Sequence, residues 1–158
     1  MCSKLGMKTA YIELNTSNQI SSILAKKEKP FFTYKGIVFY PNTSVTSLSE
    51  LLHKEYTCFI LDMGVLTTHS VADFLRFDKP FLVCSPGKWR HSQSIEQLEK
   101  IFKNYHHQHC TMILNLCEKE SNYAPLLKDC EHIPFPFLQN PFQLDLKRTY
   151  ATLHRLGF

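Results

Sequence analysis

Tyr56-Thr57-Cys58-Phe59-Ile60-Leu61-Asp62-Met63-Gly64 is the stretch that decides the fold. Cys58 to Leu61 form an unbroken apolar run, closed by a carboxylate. Such a run predicts a strand buried on both faces, as in a parallel sheet. A strand that ends in Asp carries its carboxylate to the carboxyl edge, where open parallel sheets bind ligands. In a nucleotide-binding sheet that Asp holds Mg²⁺, usually through water, because the ion prefers hard oxygen ligands. Gly64 lets the following turn approach a phosphate closely. The plainer alternative is a buried strand whose Asp caps the next helix. This stretch alone leaves both readings open.

Similar runs stand on either side. Thr9-Ala-Tyr-Ile-Glu13-Leu-Asn15 predicts a strand with Glu13 and Asn15 at its exit. Ser17 or Asn18 is placed to cap a short helix from Ile20 to Lys27, which Pro30 stops. Phe31 to Tyr40, with Lys35-Gly36 between its apolar halves, predicts a β-hairpin inserted into the fold. Thr46 or Ser47 then caps a helix through His53 with Leu48, Leu51 and Leu52 as its apolar face. Beyond Gly64, Thr67 or Thr68 caps a helix carrying Val71, Phe74 and Leu75. Asp78-Lys-Pro-Phe81-Leu-Val-Cys-Ser85-Pro86 reads as a third buried strand that ends at a Ser-Pro loop. His91 to Asn104 has the clearest helical spacing, at Ile95, Leu98, Ile101, Phe102 and Tyr105. Cys110 to Asn115 is another buried strand, and Ile133-Pro134-Phe135 a short edge strand or an extended segment, since proline cannot sit in a central strand. Short helices are expected over 123–128 and 144–156. Strands alternating with helices predict an α/β fold, a mostly parallel sheet flanked by helices in three Rossmann-type layers. The hairpin near residues 31–40 is its irregular insert.

The 158 residues fit a single domain spanning 1–158 with a real core. Hydrophobic content of 44% and charged content of 20% exclude extensive disorder. No apolar run approaches the roughly 20 residues of a transmembrane helix, and the N-terminus lacks the apolar region of a signal peptide. The six cysteines form no C-x-x-C pair. Cys58, Cys84, Cys110 and Cys117 sit in or beside apolar runs, as reduced thiols do, which points to the cytoplasm. A net charge of +4, clustered only at Lys26-Lys27-Glu28-Lys29, gives no basis for specific nucleic-acid binding.

Each apolar run closes on a polar residue: Glu13 and Asn15, Asp62, Ser85, Asn115. In this order the chain resembles the P-loop ATPases of the MinD/ParA type. Ile12-Glu13-Leu14-Asn15 resembles the family's I-D-x-D. Tyr56 to Gly64 resembles Y-D-x-hydrophobic₃-D-x-G, and Phe77-Asp78 to Pro86 resembles A-D-x-hydrophobic₃-x-x-P. Ile113-Leu114-Asn115 and Ile133-Pro134 follow as the family's later strands do. The resemblance runs from about Lys8 to the C-terminus, as in the C-terminal portion of such an ATPase domain. It implies that Glu13 and Asp62 are catalytic, Glu13 positioning the attacking water and Asp62 supporting Mg²⁺ and the γ-phosphate switch. It also implies a nucleotide contacted by Asn15, Asp62, Gly64, Asn115 and Pro134, with Asn115 on the adenine.

The departure is at the phosphate loop. The five glycines (6, 36, 64, 87, 157) form no G-x-x-x-x-G-K-[ST]. Gly87-Lys88 is followed by Trp89 rather than a hydroxyl residue. Asn15 stands where the family has a carboxylate. Phosphoryl transfer depends on positioning and charge stabilisation, so the chain alone is not expected to hydrolyse ATP or hold a cofactor. ATP and Mg²⁺ belong only to a complete site. The expected function is a non-catalytic or degenerate domain acting through a protein partner, in regulation or subcellular positioning, with a homodimer as an open form. The alternative is the C-terminal fragment of an active ATPase whose phosphate loop lies upstream. His106-His107-Gln108-His109-Cys110, with Cys117, is the best metal candidate, but its spacing matches no standard zinc site.

Overall fold

The computed structural model describes residues 6–24, 29–84, 91–103, 110–115, 131–135 and 154. The helix expected over 123–128, that over 144–156 except His154, Ser85-Pro86, Gly87 to Trp89, His106 to His109 and Cys117 lie outside them. The chain divides into two compact units, Met1–Val65 and Leu66–Phe158.

The first unit is built on a four-stranded sheet in the order β2-β3-β1-β4, with β1 at Thr9–Glu13, β2 at Phe32–Tyr34, β3 at Ile37–Tyr40 and β4 at Cys58–Asp62. β1 runs parallel to both neighbours, and Glu13 stands in register with Asp62. The hairpin forms where its sequence places it. Lys35 (φ 47°) and Gly36 (φ 79°) both take the left-handed conformation that a two-residue hairpin turn needs. It is not an insert, however. β3 pairs with β1 from Thr9↔Ile37 to Ile12↔Tyr40 and so belongs inside the sheet. The physical reason is its apolar content on both faces, which buries Phe39 and Tyr40.

Strand alternation sorts the side chains by face. Ala10, Ile12, Tyr40 and Leu51 make one buried cluster, with Leu48, Phe59 and Leu61 packed against it. Leu48 and Leu51 come from α2, Val45–Leu52, whose N-cap is Ser44 rather than Thr46 or Ser47. Thr9, Tyr11 and Glu13 point the other way, toward the side on which α1, Gln19–Ile23, begins. β4 differs from expectation here. Among the described strands it lies at the sheet edge, and Ile60 remains 39% exposed. Phe59 and Leu61 reach the cluster, while Ile60 alternates to the face that the described residues cover only in part.

In the second unit, α3 is Val71–Phe74, α4 is His91–Phe102, and β5 (Phe81–Cys84), β6 (Thr111–Asn115) and β7 (His132–Phe135) form a parallel sheet in that order. Met112 and Leu114 are its buried centre, with Leu82, Cys84 and Leu98 of α4 against them. Pro134 lies in β7, at the edge among the described strands, where its missing N–H costs no ladder bond. The architecture is mixed α/β with parallel strands. No helix among the described residues is long and apolar enough to cross a membrane.

Candidate functional site

The carboxyl ends of β1, β3 and β4 lie on one edge, and two carboxylates organise it. Glu13 is 1% exposed. Its Oε1 accepts from the backbone N–H of Gln19 (2.9 Å) and Ile20 (3.4 Å) and from the Ser17 hydroxyl (3.2 Å). Its Oε2 accepts from the Asn42 N–H at 3.2 Å. The Glu13 carbonyl also accepts from the Thr43 N–H at 2.7 Å. Glu13 therefore caps α1 from the neighbouring strand and ties down the loop after β3. Asn18, the residue before α1, has φ 49° and makes no side-chain cap bond. The carboxylate takes over that role, and its negative charge suits the start of a helix.

Asp62 is also held by donors. Its Oδ2 accepts from the Tyr11 hydroxyl at 2.5 Å. Its Oδ1 accepts from Asn15 Nδ2 (3.2 Å) and the Gly64 N–H (2.9 Å). An ionised carboxylate offers about four acceptor positions, so few remain. Asn15 Nδ2 also reaches the Asp62 carbonyl at 3.3 Å, and the Leu14 N–H donates to the same oxygen at 2.8 Å. Asn15 Oδ1 accepts in turn from the Ser17 N–H and shares the single Ser17 hydroxyl proton with Glu13 Oε1. The sequence left open whether Asp62 caps the next helix. α3 begins at Val71 after Ser70, so Asp62 caps the turn at Gly64 instead.

Gly64 packs against this network. Its φ is 70°, and a Cβ there would lie 3.0 Å from the Asn15 Cβ. Gly64→Ala is expected to lower stability by about 1–3 kcal/mol, through left-handed strain and displacement of Asn15. Thermal unfolding measures it, and a loss below a few tenths would show that Asn15 yields freely.

No family model and no curated protein matches the chain. Among solved structures it matches a chain of the MinC:MinD cell division protein complex of Aquifex aeolicus. The TM-score is 0.58 at 15% identity, covering 98% of this chain and 84% of that one. The two share a fold.

The sequence-derived residues thus fall into two groups. Glu13, Asn15, Asp62 and Gly64 meet in the first unit. Asn115 ends β6, opposite Phe135, and Pro134 pairs with Leu114, both in the second unit. Among the described residues no cluster of His, Cys, Asp and Glu could hold a metal, and Cys110 is buried. Sequence reasoning missed Tyr11. The signal was present: Tyr11 lies two residues before Glu13 in β1, and so on the face that the parallel register shares with Asp62. Burial, the bond to Asp62 and the nearby Asp62 and Glu13 charges all push the Tyr11 phenol well above the usual tyrosine range. The folded chain therefore keeps a proton that unfolded tyrosine loses near pH 10. The associated stability is intact below that pH and falls as pH rises above it. In Tyr11→Phe the alkaline decline of unfolding free energy should be shallower than in the wild type. Equal slopes above pH 10 would remove Tyr11 from the account.

Proposed function

We propose that this chain is a non-catalytic, MinD/ParA-like α/β domain of P-loop NTPase type that acts by binding a protein partner in the cytoplasm. The observation that carries the reading is the internal satisfaction of both strand-end carboxylates. A water-positioning Glu needs a free oxygen at the site, whereas Glu13 is buried under four donors. Mg²⁺ needs open hard-oxygen ligands, whereas three of the roughly four acceptor positions of Asp62 are taken by Tyr11, Asn15 and Gly64. Asn15 presents N–H groups to Asp62, the opposite of a cation ligand. So arranged, these residues do not fit the ion. A phosphate loop is missing from the sequence as well. The structurally similar chain comes from a complex of two proteins, which supports a partner-binding role, in regulation or positioning.

The test is calorimetric titration of the purified chain with ATP and Mg²⁺, together with a turnover assay. Neither heat of binding nor phosphate release above buffer is expected. Turnover that disappears in Asp62→Ala would overturn the proposal.

A second reading has its own support. β4 has the composition of a central strand, yet among the described strands it pairs with β1 alone. That is what an ATPase fragment would look like if an upstream segment supplied the central strand and the phosphate loop. The coding sequence ahead of Met1 decides it: an in-frame strand followed by G-x-x-x-x-G-[KV]-[ST] favours the fragment, and an intervening stop codon rejects it.

A further inference from the structure

Tyr40 ends β3 and Tyr56 precedes β4. Tyr40 is buried in the cluster with Ala10, Ile12 and Leu51, and Tyr56 is half-buried against it. Their hydroxyls meet at 2.8 Å. Lys54, just past α2, donates from Nζ to the Tyr40 hydroxyl at 3.3 Å. The same ammonium stands 5.1 Å from the centre of the Tyr40 ring. Hydroxyl and ring face together hold the charge in one place.

Counting protons shows what this trio lacks. An ammonium carries three donors and each phenol one, which makes five. The Lys54–Tyr40 and Tyr40–Tyr56 bonds use two of them. Whichever way the proton between the phenols points, two ammonium protons and one phenol proton keep no acceptor among the described residues. Lys54 makes no ion pair there either: the neighbouring Glu55 pairs with Lys8 at 3.7 Å. The carboxyl edge of the sheet surrounds its carboxylates with donors. Here donors and positive charge are gathered without a carboxylate.

The field at the phenols agrees. Burial first, then the bond to Tyr40, raises the Tyr56 phenol above the ordinary tyrosine value. The charges that oppose the rise are those of Lys54 and Lys8, and among the described residues no carboxylate contributes.

Two further features narrow the ligand. The Lys54 N–H bonds the Leu51 carbonyl at 3.0 Å, so the trio follows the C-terminal end of α2. Helix carbonyl ends carry partial negative charge, which opposes a dianion such as phosphate more than a monoanion. Phe31, 53% exposed, has its ring 5.7 Å from that of Tyr40 and offers an apolar surface beside the donors. Three donors around one positive charge suit the two oxygens of a carboxylate.

We propose that Lys54, Tyr40 and Tyr56 form a binding subsite for a carboxylate carried on an apolar or aromatic body that rests on Phe31. A small organic acid and the free end of another polypeptide present the same chemistry. The subsite shares no residue with the Glu13–Asp62 edge. Its failure leaves the non-catalytic reading standing, and ATP turnover leaves the subsite standing.

The test is a nuclear magnetic resonance titration of the full chain, followed at the Lys54, Tyr56 and Thr57 amides. The probes are benzoate, acetate, benzamide, inorganic phosphate, and a tripeptide ending in phenylalanine with its terminus free or amidated. Benzoate should bind in the millimolar range, and acetate about tenfold more weakly for want of a ring against Phe31. Benzamide, which has the shape without the charge, should not saturate. Lys54→Met should weaken benzoate about tenfold, with the melting temperature unchanged because the side chain is exposed. Lys54→Arg, which keeps the charge, should retain most of the affinity. A free tripeptide that outbinds benzoate, with the amidated one inert, would uphold the subsite and place its ligand at a chain end. Benzoate outbinding the tripeptide would uphold it for a small acid. No saturable shift by about 50 mM benzoate would overturn the assignment. So would benzamide or acetate binding as tightly as benzoate, phosphate binding more tightly, or affinity indifferent to Lys54→Met.

Discussion

Glu13→Ala should be the most damaging single change in the first unit. It removes the acceptor of three backbone N–H groups and one hydroxyl at a site that is 1% exposed. Orphaning a buried donor costs about 1–3 kcal/mol, and some of these donors will recover water once the cavity opens. A net loss of about 3–4 kcal/mol is expected, roughly a 10 °C fall in melting temperature for a chain of this size. Glu13→Gln separates shape from charge. It keeps one acceptor oxygen but turns an amide N–H toward a donor, so about half the loss should remain. Circular dichroism melts of the three proteins decide the matter. Equal stability of wild type and Glu13→Ala would mean that water replaces the carboxylate without cost, and Glu13 would be free for another role.

The second large effect is expected from Asn15→Asp. Asn15 Nδ2 is 3.2 Å from Asp62 Oδ1 as a donor. An aspartate there brings two carboxylates into that contact. The lost hydrogen bond and the new repulsion should together cost about 2 kcal/mol at neutral pH. The penalty should shrink as pH falls through the carboxylate range, because one of the pair can then hold a proton between them. A divalent cation offers the other relief. With a dissociation constant near 1 mM, 10 mM Ca²⁺ or Mg²⁺ would return about 1.4 kcal/mol by linkage. The wild type should not respond, its Asp62 oxygens being occupied by Tyr11, Asn15 and Gly64. A melting temperature that rises equally with Ca²⁺ in both proteins would show that the asparagine does not close the site. One substitution thus asks whether a cation site is absent or merely blocked.

The strands were legible because unbroken apolar runs carry their own signal. Cys58 to Leu61, Phe81 to Cys84 and Thr111 to Asn115 all became strands. The hairpin was legible from Gly36 following Lys35 between two apolar halves, although Lys-Gly is a weaker turn signal than Asn-Gly or Asp-Gly. Its place in the sheet was not, because pairing partners depend on which apolar faces meet, and no local pattern records that. The caps were read least well. Serine and asparagine near a helix start are good local candidates, but the cap of α1 comes from Glu13, several residues back in another element. The Ser44 cap of α2 lay just ahead of the residues chosen. Of the site, Glu13, Asn15, Asp62 and Gly64 were identifiable as strand exits. Their bonds to one another were not, since a sequence shows that a carboxylate is present but not that its oxygens are already occupied. Tyr11 went unnoticed because its ring reads as core, while only its hydroxyl takes part.

The dependence of α1 on a strand residue bears on the order in which the chain assembles. α1 spans five residues, too few to persist alone in water. Its first two amides have their acceptor only once β1 is in place to aim Glu13 at them. The helix is thus conditional on the sheet, and cannot seed it. In a folding reaction followed by pulsed hydrogen exchange, the Gln19 and Ile20 amides should gain protection after those of β1 and β3. Under mild denaturant they should be the first of the unit to lose it.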